Sequence, residues 1–236
     1  MTMHKKVIHE RRKKERGKRI QSILDAAREV FLSKGYLKTT MDEIALKAEI
    51  SKPTIYQYFE TKDALFFSLI IPVTRKVGKE SDKVEKKLID GEYSSGSSLI
   101  HDILYAFYES YKMDPDSFRM VMLFQQTHMA WEMKEQSRLS IMEKGQYNYE
   151  VGRRILRRGM EQGLLRSMDV YALLDILWGL FVGIVQIEDI KSTKKERNKY
   201  LESTFKLAET LMTDAVAKKL DDIHYNDAPV KGKKRN

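Results

Sequence analysis

Residues 51–59 read SKPTIYQYF, and this stretch decides the fold of the N-terminal part of the chain. Ser51 is a preferred helix N-cap, and Pro53 falls in the first helical turn, where its missing N–H costs nothing. The pattern predicts a helix over about 52–59. Two tyrosines, a lysine and a threonine crowd its two turns, which is typical of a helix whose exposed face is completed by a binding partner.

The sequence before this stretch places it third in a row of helices. An apolar stripe at helical spacing predicts a first helix over about 18–34, with Gly35 in the left-handed conformation at its C-terminus. Thr40 caps a short second helix that ends near Ala48. Because only three residues separate the second and third helices, they must cross steeply, which is helix-turn-helix geometry.

The side chains of the third helix suit contact with a DNA groove. Short polar groups near the N-terminus of such a helix reach base edges, while neighbouring groups bond phosphates and fix its register. Lys52, Thr54, Tyr56 and Tyr58 offer these groups, and Ile55 belongs to the core. Periodicity alone also allows a generic three-helix unit in which the tyrosine rings merely pack.

The run from Ile20 to Leu65 resembles the N-terminal DNA-binding domain of the TetR family of bacterial transcriptional regulators. The landmarks that carry the resemblance are Ala27, Phe31, Gly35-Tyr36, Thr39-Thr40, Ile44-Ala45, Ser51-Lys52, Thr54-Ile55-Tyr56, Tyr58-Phe59 and Lys62. The resemblance implies a homodimer whose third helix enters the major groove of a double-stranded DNA operator. It implies DNA contacts at Thr40, Lys52, Pro53, Thr54, Tyr56, Tyr58 and Lys62. Many members of the family have glycine at the position of Pro53, which bears on base preference rather than on fold.

The net charge of +9 is concentrated in the two ends of the chain. Residues 1–19 hold nine Lys and Arg against two Glu, and residues 227–236 hold four against one Asp. Basic ends of this kind meet nucleic acid or an anionic membrane surface, or simply remain solvated. The N-terminal candidates for DNA contact are Arg11, Arg12, Lys13, Lys14 and Arg16.

The fold class predicted for the whole chain is all-α. It comprises an N-terminal three-helix helix-turn-helix domain and a larger C-terminal helical domain for ligand binding and dimerisation. The predicted segments are a basic, flexible arm over 1–17, the DNA-binding domain over 18–64, the effector-binding and dimerisation domain over 65–222, and a disordered basic tail over 223–236.

Two late helices in the C-terminal domain have the pattern of a packing seam. The helix over about 168–188 is apolar on nearly every side, and the last one, over about 195–220, repeats apolar residues at steps of three and four. The predicted dimer interface is Leu174, Trp178, Phe181, Val182, Leu201, Phe205, Ala208 and Met212. The alternative is that this pair of helices packs only inside one subunit.

The segment 98–163 is rich in methionine and aromatic residues, which suit a pocket for a small, largely apolar effector. The candidate lining is Phe107, Tyr108, Tyr111, Met122, Gln125, His128, Met129 and Tyr147. Ordinary core packing explains most of the same residues.

The inventory of reactive side chains does not indicate catalysis. There is no cysteine, and the sequence has no paired-histidine metal motif, nucleophile elbow or glycine-rich phosphate loop. We therefore predict a cytoplasmic regulator that is not an enzyme and has no cofactor or metal, most simply a repressor.

The longest apolar run, Ile176–Ile187, is too short to span a bilayer. The rival class is a helical small-molecule or lipid-binding protein with basic arms for an anionic membrane surface.

Overall fold

The computed structural model describes residues 3–126, 133, 135–191 and 200–218. It confirms the all-α class. The helices are α1 (Met3–Lys38), α2 (Met41–Lys47), α3 (Lys52–Tyr56), α4 (Lys62–Ile89), α5 (Gly96–Met113), α6 (Pro115–Gln126), α7 (Glu135–Glu161), α8 (Val170–Lys191) and α9 (Leu201–Val216). The backbone of Leu165 also pairs with that of Ala217 in an isolated antiparallel bridge.

The chain forms two compact units. Unit one comprises Met1–Lys76 and Ser110–Gln146, and unit two comprises Val77–Glu109 and Tyr147–Asn236. The segment boundaries given by the sequence, at residues 17, 64 and 222, stay predictions.

The core of unit one is built where α1, α2, α3 and the first turns of α4 meet. Phe31 and Phe66 pack edge to face with ring centroids 5.2 Å apart, and neither side chain is accessible to solvent. Ile44 and Ile55 are also fully buried in this cluster. Each such side chain contributes roughly 1.5–3 kcal/mol when it leaves water. Burial of Ile55 therefore holds the five-residue helix α3 in place, although so short a helix is unstable on its own.

Helix α1 begins at Met3, whereas the sequence predicts a flexible arm over residues 1–17. The arm is made mostly of lysine, arginine and glutamate, which are good helix formers, and no proline interrupts it. Arg11 also pairs with Glu15 one turn later at 3.1 Å. The basic residues therefore extend the first helix as an exposed rod.

Gly35 interrupts α1 near its end, with φ 75° and ψ 167°. The positive φ agrees with the prediction for this position, but the ψ value is extended rather than left-handed helical. This region of backbone space is essentially restricted to glycine. It lets the chain leave α1 and reach Thr40, the cap of α2.

Replacing Gly35 by alanine is expected to lower the free energy of unfolding by about 1–2 kcal/mol, because a side chain strains this backbone. An added Cβ at Gly35 meets no atom within 4 Å, so the substitution tests backbone strain without a steric clash. Urea unfolding monitored by circular dichroism measures the change. Gly17→Ala is the matched control, since Gly17 is helical and equally open. It should leave stability unchanged or raise it, and an equal loss in both variants would contradict the strain argument.

The remaining boundaries differ from the predicted ones mainly at helix ends. Helix α3 ends at Tyr56 rather than Phe59, and α4 runs on through Pro72 to Ile89 rather than ending near residue 80. An apolar face that persists along α4, with Val77, Val84 and Leu88 buried, explains its greater length.

The residues of the predicted dimer seam make contacts within one protomer. Five of its residues are buried inside unit two of a single protomer: Leu174, Phe181, Leu201, Phe205 and Ala208. Trp178, Val182 and Met212 are half-buried. Phe181 of α8 meets Phe205 of α9 edge to face at 5.6 Å, and Trp178 meets Phe107 of α5 at 5.2 Å. Phe181, Phe205 and Trp178 thus join helices of the same subunit, and the assignment of the eight residues to a dimer interface stays a prediction.

A different face of α8 and α9 is apolar and exposed. Its large side chains are Ile176, Ile187 and Ile190 on α8 and Leu207 and Leu211 on α9, each at least half exposed. On α8 the spacing of 11 and 3 residues keeps the isoleucines on one side of the helix.

Helix α8 is also long and apolar enough, by length and composition, to cross a membrane. The helix, at 22 residues, is longer than the apolar run Ile176–Ile187 within it, to which the prediction refers. Its buried side chains nevertheless pack on the core of unit two, as a core helix of this composition does.

Candidate nucleic-acid interface

The cap of α2 is held by two reciprocal hydrogen bonds. The Thr40 hydroxyl oxygen accepts from the Glu43 N–H at 3.2 Å, and the Glu43 carboxylate accepts from the Thr40 N–H at 3.1 Å. Lys34 donates to the same carboxylate. The hydrogen bond from Lys34, and to a smaller extent that from the Thr40 N–H, holds the pKa of Glu43 below its usual value. The sequence predicts Thr40 as the cap but does not identify Glu43 as its reciprocal partner in this capping box. Since the Thr40 oxygen accepts within the protein, its own O–H can still donate outward.

The cap of α3 fixes the exposed start of that helix. The Ser51 hydroxyl oxygen accepts from the Thr54 N–H at 3.3 Å, and the two hydroxyl oxygens lie 2.8 Å apart. This contact orients the Thr54 side chain before any partner binds. Pro53 sits in the first turn, as predicted, and is exposed.

Lys52 and Tyr56 carry the remaining polar groups of α3, and both reach solvent. Lys52 is exposed and donates to Asp42 at 2.9 Å, which raises the pKa of the ammonium group. An ion pair between exposed side chains contributes little, so a phosphate can replace Asp42 as the partner of Lys52. The Tyr56 side chain is 42% exposed although Ile55 beside it is fully buried.

Tyr58 follows α3 and meets the basic extension of α1. The Arg16 guanidinium lies over its ring, 5.2 Å from the centroid. This cation–π contact brings one of the predicted arm residues next to the predicted DNA-contacting tyrosine. The sequence did not predict it, because the two positions are far apart in the chain and no local pattern links them.

Lys62, a predicted DNA contact, also bonds to the protein backbone. Its ammonium donates to the backbone carbonyls of Tyr36 and Thr39, at 2.8 and 3.0 Å, and lies 4.2 Å from the centre of the Tyr36 ring. Burial lowers the pKa of this lysine. The side chain thus ties the start of α4 to the turn between α1 and α2, and its contact with DNA stays a prediction.

The same turn carries a buried tyrosine–carboxylate pair that sequence reasoning missed. The Tyr36 hydroxyl donates to Asp63, and both residues are buried. Burial, together with this hydrogen bond and the nearby carboxylate charge, raises the pKa of Tyr36 well above its usual value. A charged residue such as Asp63 is rarely buried without a partner. The sequence alone, however, offers no sign that Asp63 faces inward.

The predicted ligand-pocket residues fall in both units. Phe107 and Tyr108 belong to unit two, where Tyr108 stacks on Phe205 at 5.1 Å. Tyr147, also in unit two, is half exposed and donates to Asp82 at 2.7 Å. These contacts are core and surface packing. An effector pocket lined by these residues remains a prediction.

In unit one, Tyr111 and Met122 are buried and Gln125 is exposed. Arg119 donates to the Tyr111 hydroxyl at 3.1 Å. His128 and Met129 lie outside the described residues. Within the described part of the chain, no group of three or more acidic residues or histidines is placed to hold a metal ion.

Residues 23–69 match the family model described as "Bacterial regulatory proteins, tetR family". Over 163 residues the chain is 23% identical to the HTH-type transcriptional regulator YhgD of Bacillus subtilis, covering 69% of this chain and 80% of that protein. Over 180 residues it is 26% identical to the "Probable acrEF/envCD operon repressor" of Escherichia coli K12, covering 75% and 78%.

Solved structures share the fold. The TetR family transcriptional regulator PfmR of Thermus thermophilus superposes with a TM-score of 0.62 at 21% identity, covering 80% of this chain and 96% of that one.

The capped pair α2 and α3, with an exposed polar face on α3, defines a helix-turn-helix DNA-binding protein. More particularly, residues 23–69 match the TetR family of bacterial transcriptional regulators, and the chain is similar to HTH-type regulators over about two thirds or more of its length. These similarities do not favour the alternative of a lipid-binding protein with basic arms.

Proposed function

We propose that the protein is a homodimeric repressor whose two copies of α3 enter successive major grooves of a palindromic operator. A small, largely apolar effector releases it. The observation that carries the proposal is the exposed start of α3, where the hydroxyl oxygens of Ser51 and Thr54 lie close together. The fully buried Ile55 fixes this helix to the core. A helix so short is held in place by its core side chain, so its outer face is free to serve recognition.

Each polar residue near α3 has a proposed task. Thr54 offers a pre-oriented hydroxyl and a methyl group to base edges, and Pro53 packs against the groove without donating a hydrogen bond. Lys52 and Tyr56 bond phosphates on the two sides of the groove, and Thr40 adds a hydroxyl at the N-terminus of α2. Tyr58 contributes its phenol beyond the end of α3. Lys62 is assigned to positioning these elements rather than to phosphate contact.

Dimerisation is assigned to the exposed apolar face of α8 and α9. Ile176, Ile187, Leu207 and Leu211 expose half or more of their surface, and a second copy of the same face would bury them. Gly179 and Gly183 are also open on α8, with no atom within 4 Å of an added Cβ, which permits close approach of another helix. Two half-sites one helical turn apart, or a multiple of it, are bound together only by such a dimer.

The proposed control by an effector rests on thermodynamic linkage between effector binding and DNA binding. A ligand shifts the equilibrium between DNA-binding and released arrangements only by its difference in affinity for them. The apolar and methionine-rich segment 98–163 is the proposed source of the binding site, and α4, which supplies residues to both units, is the proposed route of transmission. Acyl or aromatic compounds are the class of effector that such a lining would hold.

Selection of bound sequences from random duplex DNA by the full chain tests the function directly. A palindromic consensus is expected. On that operator, Thr54→Ala and Tyr56→Phe should each lower affinity by roughly 10–100-fold, since each removes a base or phosphate contact from both protomers. Binding is measured by fluorescence anisotropy at fixed salt, because phosphate contacts make affinity salt-dependent.

Ser33→Ala is the matched control, because Ser33 is exposed on α1 and its hydroxyl donates to the nearby Val30 carbonyl. It should bind the operator as the wild type does. Recovery of no consensus, or unchanged affinity in both α3 variants with the fold intact, would contradict recognition by α3.

A further inference from the structure

The basic extension of α1 continues the same helical face that packs on the helix-turn-helix. In unit one, Ile20, Ile23, Ala27 and Phe31 follow one another at steps of three and four and line the core side of α1. The same intervals, counted toward the N-terminus, lead from Ile20 to Arg16, then to Arg12 and Lys13, and then to His9. Beyond the core, the inward face of α1 is therefore basic.

The contact between Arg16 and Tyr58 shows where this face points. Arg16 lies over the ring of Tyr58, just beyond the recognition helix α3. Residues 6–19 are exposed throughout, so the rest of the basic stripe extends past α3 into solvent. Glu10 and Glu15 lie off the stripe, and Glu15 pairs with Arg11 on the opposite side of the helix. The stripe thus presents three cations and one imidazole, with no acid among them.

We propose that this stripe, formed by His9, Arg12, Lys13 and Arg16, is a rigid helical clamp for DNA phosphates that flank the half-site read by α3. The proposal rests on the proposed function and adds a second contact region to it. At 1.5 Å per residue, the segment from Arg16 back to His9 is roughly 10 Å long. That length spans about three base pairs at 3.4 Å each. Charge complementarity favours the phosphate backbone as occupant, and the Arg16–Tyr58 contact makes the stripe continuous with the recognition surface.

The test compares two duplexes that carry the selected palindrome. One ends at the consensus, and the other has about six further base pairs on each side. Wild-type protein is expected to bind the longer duplex at least tenfold more tightly. Arg12→Gln with Lys13→Gln should remove that gain, and the slope of log affinity against log salt should fall by up to roughly 3–4 for two residues in each of two protomers.

The matched control is Arg11→Gln with Lys14→Gln, which removes the same charge from other sides of the same helix. It is expected to change affinity for either duplex by less than about threefold. If both double variants lose the gain equally, the arm acts as diffuse charge and the clamp is wrong.

Rigidity is tested at Gly17, which joins the stripe to the body of α1. Gly17→Pro keeps every charge but breaks the helix, so it should abolish the gain from the flanks while leaving affinity for the short duplex intact. The unchanged short-duplex affinity also shows that the domain still folds. Gly17→Ala has open space for its Cβ and stiffens the helix, so it should tighten binding to the longer duplex by about 2–5-fold.

The outcomes separate this inference from the proposed function. Selection of a palindrome whose binding ignores the flanks would overturn the clamp and leave the operator function standing, whereas failure to select any consensus would overturn both. Binding of wild-type protein, but not of the Arg12 and Lys13 double variant, to vesicles containing anionic lipid, together with no gain from the flanks, would assign the stripe to a membrane surface and overturn the proposal.

Discussion

Replacing Lys62 by methionine is expected to lower the free energy of unfolding by roughly 2–4 kcal/mol. The ammonium donates to the carbonyls of Tyr36 and Thr39 at 2.8 and 3.0 Å, and each bond from a charged donor contributes about 1.5–3 kcal/mol, less where solvent reaches it as it does here. Methionine keeps the stem but leaves both carbonyls without this donor. Thermal and urea unfolding of the full-length protein measure the loss.

The same variant decides between two roles for Lys62. The sequence assigns Lys62 to a phosphate, whereas the structure commits two of its donors to the turn between α1 and α2. If Lys62 only positions that turn, Lys62→Met weakens operator binding without changing the slope of log affinity against log salt. A phosphate contact in each protomer would instead reduce the slope by about 2. Lys62→Arg, which keeps the charge but not the compact donor geometry, is the companion variant.

Local signals in the sequence were sufficient to predict the helix-turn-helix. Ser51 and Thr40 cap their helices through bonds to residues three positions later, so both bonds are encoded within one turn of chain. The fully buried Ile55 and the exposed Tyr56 follow from helical periodicity in the same way. For these helices, the residues that determine the caps and the buried face lie within a few positions of the structure that they determine.

Contacts between distant residues were beyond such reasoning. The hydroxyl of Tyr36 reaches Asp63, 27 residues away, and Arg16 reaches Tyr58 across a still longer stretch of chain. Which lysine is committed to a carbonyl and which is presented to solvent depends on the tertiary fold. Lys62 and Lys52 are both lysines in the first turn of a helix, yet only the first is held by the turn before α2.

Which face of α8 meets a second subunit does not follow from the sequence, because α8 is apolar on almost every side. When apolar residues occupy both the inward and outward faces, periodicity cannot tell which face packs within the subunit. The sequence therefore assigned Phe181 and Phe205 to the interface, and these side chains meet inside one protomer at 5.6 Å. Only the folded subunit shows that Ile187 and Leu211 are left outside.

Leu211→Asp is expected to dissociate the dimer and to lower affinity for a palindromic operator by more than about 100-fold. Leu211 is 61% exposed in the protomer, so the carboxylate should not disturb folding of unit two. In a twofold interface the substitution occurs twice, and burying each unpaired charge costs several kcal/mol. A loss of about 3 kcal/mol already corresponds to more than a hundredfold in the dissociation constant. Sedimentation velocity measures the dimer, and anisotropy measures operator binding.

Phe205→Leu is the informative counterpart, because it changes the seam that the sequence assigns to the interface. Phe205 is buried against Phe181 and Tyr108 of the same protomer, so its truncation should destabilise unit two by roughly 1–3 kcal/mol while the folded protein stays dimeric. Dissociation by Phe205→Leu at full stability, with Leu211→Asp still dimeric, would instead place the buried seam between subunits. The exposed face of α8 and α9 would then need another partner. The two variants together locate the twofold axis that sets the spacing of the recognition helices.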